Sequence, residues 1–183
     1  MGLDMYLNSV PKVKSTDELE KLQERLTIAY FKDKLQEELK SIQKEKNFIY
    51  DIPFSLSPYI NKENYAECLK EYSYKVDVSM KLGYWRKFNA LHAWFVKNVQ
   101  KEVDDCGIYI VTKLQLEGLY EELKSINKDN AENILPNQKG FFFGGTEYDE
   151  YYWKEIEYLK GFLIYVLTQV DERERTLIYS SSW

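Results

Sequence analysis

Two periodicities divide this chain, and their alternation limits it to one broad architecture. The segments 2–7, 72–81, 107–111 and 176–183 are short and apolar or alternating, as strands are. In the first, Leu3, Met5 and Leu7 alternate with Asp4 and Tyr6, and Pro11 follows. The intervening segments step by three and four residues, the spacing of amphipathic helices. Residues 12–47 contain 17 charged residues, two aromatics and neither Gly nor Pro. Thr16 with Leu19, Leu22 and Leu26, then Ile28, Phe31, Leu35, Leu39 and Ile42, step by three and four with a change of phase near 27–31. This predicts a long charged helical arm over about 15–47, with a break at that change of phase. Further helices are expected over 62–71, 84–101, 112–126 and 146–170, with Gly83 as a turn. Thr112 with Gln115 forms a capping-box pattern, and Thr146 is expected to start the last helix.

The pattern predicts an α+β fold: a small, mostly antiparallel sheet packed with about four helices, one of them the long charged N-terminal arm. A length of 183 residues without an internal repeat or Gly/Pro-rich linker predicts one domain, 1–183. Both terminal strands are expected in the sheet.

Composition excludes several functions. A net charge of −5 provides no overall cationic field to gather bulk nucleic acid. One histidine, His92, and two cysteines, Cys68 and Cys106, cannot build a four-ligand Cys/His zinc centre within one chain. No apolar run of membrane-spanning length occurs, no secretory leader pattern opens the sequence, and two unpatterned cysteines suit a reducing cytosol. No cofactor motif stands out: the glycines match neither a P-loop nor G-x-G-x-x-G, and no serine sits in a G-x-S-x-G elbow. With His92 as the sole histidine, a positioned base for nucleophilic catalysis is poorly supplied, and no catalytic residue or metal ligand is assigned.

Three stretches hold candidate binding residues. From Lys81 to Lys101 there are five cations and no acid, interleaved with Tyr84, Trp85, Phe88, Trp94 and Phe95. At an expected strand-to-helix junction, Arg86 and Lys87 suit a phosphate, Trp85 or Tyr84 a base, and Asn89 with His92 the hydrogen bonds. The same residues equally describe a solvated basic face above a core stripe, with His92 a satisfied core histidine. Phe143, Gly144 and Tyr148 form the second candidate, two glycines before a helix allowing close backbone approach; a buried strand and a capped helix would read alike. The third is Ser182 with Trp183, which also fit a polar edge strand.

These blocks together resemble a family of small phage- and prophage-encoded proteins. The resemblance rests on Gly2-Leu-Asp-Met-Tyr-Leu7, on Gly83-Tyr-Trp-Arg-Lys87 with Asn89, His92, Trp94-Phe95 and Asn98, on Gly140-Phe-Phe-Phe-Gly144 with Tyr148-Asp149-Glu150, and on the final Ser-Ser-Trp183. It implies a phage context, in which small accessory proteins counter host defence, and carries no catalytic residue over. The combined expectation is a protein of the host cell cytosol that sequesters a nucleotide-derived small molecule, such as an immune second messenger, without converting it. The arm would support homo-oligomer formation. The alternative is an inhibitor or adaptor that caps a host defence protein through exposed aromatics.

Overall fold

The structure, a computed structural model, describes residues 2–25 and 78–183. The chain falls into two compact units, residues 1–16 with 79–183, and residues 17–78. Of the expected arm, residues 16–25 are described and are helical; the rest, with the expected helix 62–71 and the expected strand up to residue 77, lies outside the described residues. The sheet and the candidate site both belong to the first unit.

The elements of this unit run β1 (Asp4–Pro11), β2 (Met80–Arg86), α1 (Asn89–Asn98), β3 (Ile108–Val111), α2 (Lys113–Lys124), α3 (Ala131–Ile134), α4 (Glu150–Gln169) and β4 (Arg175–Ser182). The fold is α+β. The four strands form one antiparallel sheet in the order β2-β1-β4-β3, so the two terminal strands lie side by side at its centre. Asp4 pairs with Ser182 and Pro11 with Arg175. Pairing to β1 ties down β4 along all eight residues.

Alternation sends Leu3, Met5, Leu7, Trp85, Leu177 and Tyr179 into one core. There they meet Leu91 and Phe95 of α1, Leu116, Leu119 and Leu123 of α2, and Ile156, Leu159, Leu163 and Val166 of α4. Phe95 stacks on Tyr179 with centroids 3.9 Å apart and planes 8° from parallel. The expected capping box is present: Thr112 Oγ1 accepts from the Gln115 N–H, and the Gln115 side chain accepts from the Thr112 N–H.

Three elements differ from expectation. Gly83 is no turn, and no helix starts at Tyr84; residues 80–86 form β2, with Tyr84 opposite Tyr6 and Arg86 opposite Asp4. Gly83 is needed for space, since a Cβ there would lie 2.5 Å from the Trp85 ring and 2.8 Å from Phe162. The last helix starts at Glu150 and is capped by Asp149, whose carboxylate accepts from the Tyr152 N–H at 3.0 Å. Thr146 does not start it: residues 146–149 are not helical, and the Thr146 and Glu147 carbonyls accept from the Asn137 amide. Finally, Phe141–Phe143 form a turn rather than a strand, with Phe141 95% exposed and Phe143 buried.

Candidate functional site

The later start of α1 moves the helix terminus onto the second candidate stretch. Lys87 breaks β2 with a left-handed backbone (φ 59°), and its N–H donates to the Leu3 carbonyl at 2.8 Å. Facing it is Gly144, at φ 90°, where a Cβ would sit 3.1 Å from the Lys87 Cβ. Only glycine meets both demands without strain. Between these two segments and the start of α4 opens a pocket of about 370 Å³. Arg86, Lys87 and Asn89 line one side, Gly144 and Gly145 a second, and Glu147, Asp149 and Tyr151 a third.

Asn89 holds the parts together. It is fully buried, and its amide donates to the carbonyls of Phe143 (3.1 Å) and Gly145 (2.7 Å). Its oxygen accepts from the Gln138 N–H at 2.8 Å. Both amide protons are thereby committed, so Asn89 positions the glycine loop rather than offering hydrogen bonds to a ligand. Tyr151 closes the opposite edge by donating to the Arg86 carbonyl at 2.6 Å. Burial, and next the charge of Glu155, push its phenol up to about 12.

The charges are mixed. The Arg86 guanidinium is more than half exposed and 4.0 Å from Asp4, a distance at which the pair stabilises little. Lys87 is exposed, and the start of α1 carries neither an acid in its first turn nor a side-chain cap. These groups favour negative charge. Glu147 and Asp149, in the same lining, offer acceptors to hydroxyl or amino groups.

Four sequence candidates therefore meet at this pocket: Arg86, Lys87, Asn89 and Gly144. Phe143 and Tyr148 stand behind it, Phe143 buried against the His92 ring and the Tyr148 hydroxyl accepting from the Asn137 N–H at 3.3 Å. The others are elsewhere. Trp85 is buried against Phe162, edge to face at 4.9 Å, because strand alternation points it into the core. Tyr84 points the other way and donates to Asp4. Ser182 pairs with Asp4 at the sheet's centre, and neither it nor the half-exposed Trp183 reaches the lining. Sequence reasoning misses Asn137, Glu147, Asp149 and Tyr151; the signal available for the last two is a capping acid followed two positions later by an aromatic.

His92 has no exposed surface. Its Nε2 lies 3.0 Å from the Asp104 carboxylate and its Nδ1 2.8 Å from the Tyr179 hydroxyl. With Nε2–H donating to the carboxylate, Nδ1 of the neutral ring accepts from the phenol. Both nitrogens are occupied, as in a structural core histidine. Burial raises the Tyr179 phenol far above its ordinary 10.0. The unfolded chain then loses this proton first, so stability falls as pH rises above about 10, by about 1.4 kcal/mol per pH unit for a buried phenol. Urea midpoints between pH 8 and 11 should show this fall, and Tyr179→Phe should flatten it by one proton. An unchanged slope in that variant would refute the assignment.

Among the described residues, no group of three or more His, Cys, Asp or Glu is placed to hold a metal ion. None of their helices is long and apolar enough to cross a membrane. Comparison with protein-family models, with curated proteins and with solved structures finds no match. Fold and site together describe an α+β protein with a small pocket between a strand-to-helix junction and a glycine loop.

Proposed function

We propose that this is a ligand-binding protein whose pocket at Arg86, Lys87 and Gly144 sequesters a nucleotide-derived small molecule without converting it. The observation that carries this reading is the mixed charge of one concavity: two cations and an uncapped helix start share its lining with two carboxylates. A phosphate group fits a bidentate Arg86 contact and a Lys87 point charge. Sugar hydroxyls or an exocyclic amine fit the carboxylates. Tyr151, beside the pocket mouth, supplies the aromatic face expected of Trp85. The family resemblance supports the wider setting: a phage-encoded protein in the host cell cytosol that removes an immune second messenger from a defence pathway.

The test is to incubate the protein with a panel of mono-, di- and cyclic nucleotides, measure binding, then denature it by heat and identify what is released. One ligand bound and released intact is expected. Arg86→Ala should weaken it about 10- to 100-fold, the equivalent of one charge-assisted contact, with an unchanged melting temperature. No binding across the panel, or unchanged affinity in Arg86→Ala, refutes the proposal; an altered product would make the protein an enzyme.

A second reading, an inhibitor or adaptor acting on a host protein, is favoured by one observation. Tyr151, Tyr158 and Tyr165 recur every seven residues along α4, each about half exposed, with exposed Ile164 beside them. Aromatics on an open helix face suit a protein interface.

A further inference from the structure

A second concavity lies at the other end of β1. Arg86 is opposite Asp4, where that strand begins, whereas Arg175 is opposite Pro11, where it ends. Eight residues of strand separate the two places by roughly 23 Å. This pocket, about 280 Å³, is lined by Val13, Ile110 and Leu177 among its apolar residues and by the cations Lys12, Lys14, Lys113 and Arg175. Glu172 is the one acid of its lining.

What distinguishes the lining is how three of its cations are held. Lys12 Nζ donates to the Glu172 carbonyl at 2.6 Å, and Lys113 Nζ to the Leu167 carbonyl at 2.9 Å. Arg175 Nη2 donates to the Ser9 carbonyl (2.9 Å) and hydroxyl (3.0 Å). Each of the three is anchored by a neutral oxygen, which fixes its position without forming an ion pair through that bond. Asp171, near Lys113, is committed to Arg173 at 2.6 Å. Against the single Glu172 carboxylate, the cations of the lining leave the pocket net positive.

Two further features bear on the site. The Arg175 Nε is buried and has no hydrogen-bond partner, so Ser9 does not satisfy the whole guanidinium. The capping box uses the N–H groups of Thr112 and Gln115 and leaves those of Lys113 and Leu114 at the start of α2 without an intrahelical acceptor. Thr112 and Lys113 both line the pocket, so the positive end of that helix faces the same space.

We propose that this pocket is a second binding site, taking the multiply charged oxyanion of a small organic phosphate whose body rests on the apolar residues of the lining. Arg175 and Lys113 contact the oxyanion, with Lys12 as a third cation. The site is separate from the pocket at Arg86 and stands whether or not that one binds a nucleotide.

Pyrophosphate serves as the probe, titrated into isotopically labelled protein at constant ionic strength, with chloride as control. Saturable shifts of the Lys113 and Leu114 amides and of the Arg175 Nε–H are expected. The double variant Lys12→Gln/Lys113→Gln should weaken the binding read at the Lys113 and Leu114 amides at least tenfold, and those amide shifts should persist in Arg86→Ala, whatever happens at the first pocket. Arg175→Lys, which keeps the charge and removes the Nε–H, should weaken the binding as well. The proposal is overturned if chloride gives the same shifts, if the shifts gather only at Arg86 and Lys87, or if the folded double variant binds like the parent.

Discussion

Trp85→Ala should cost about 3–5 kcal/mol of stability, the range for deleting a large buried aromatic. In a domain of this size it lowers the melting temperature by roughly 6–20 °C. The indole is 2% exposed, meets Phe162 edge to face, and lies 6.2 Å from Tyr158. Gly83 leaves room for its ring, so the backbone has no side chain with which to fill the hole. Trp85→Phe should cost much less, because it keeps an aromatic and removes the indole N–H, which is buried without a partner. Thermal and urea unfolding of the two variants decide the matter. A base-stacking Trp85 would give the opposite result: a normal melt for Trp85→Ala, with ligand affinity lost.

The misplacement of Trp85 has a definite origin in the sequence. Trp85 lies three positions before Phe88, and Phe88, Leu91, His92 and Phe95 follow at helical spacing. A strand entering a helix can carry its last inward residue in phase with the helical stripe, and no local pattern separates the two. Pairing with Asp4–Ser9, more than 70 residues earlier in the chain, settles it in favour of the strand. The terminal strands and the Thr112 capping box were legible because alternation and a four-residue capping pattern are local. The start of α4 was not, since Thr146 and Asp149 are both good caps, and the loop that precedes Asp149 is held by Asn137, about ten residues earlier. In the candidate site, Arg86, Lys87, Asn89 and Gly144 could each be singled out. Their convergence could not, because it depends on hydrogen bonds across 49, 54 and 56 residues.

Those three bonds make Asn89 the second position of large effect. Asn89→Ala leaves the Phe143 and Gly145 carbonyls and the Gln138 N–H without their partner. At about 1 kcal/mol or more for each group stranded, the loss is about 3 kcal/mol, or roughly 6–12 °C of melting temperature. The functional loss should be larger than this figure suggests. Gly144 faces Lys87 only while the 143–145 carbonyls are drawn to α1, so releasing them removes one wall of the pocket. Asn89→Asp discriminates further: a carboxylate still accepts from Gln138 but faces two carbonyl oxygens with no proton to donate. It should therefore be no more stable than the alanine variant, despite being nearly isosteric with the parent. Ligand affinity measured well below each variant's melting temperature separates pocket geometry from global unfolding. A folded Asn89→Ala protein that binds like the parent would mean that the glycine loop holds its place without Asn89, and that another contact positions the pocket.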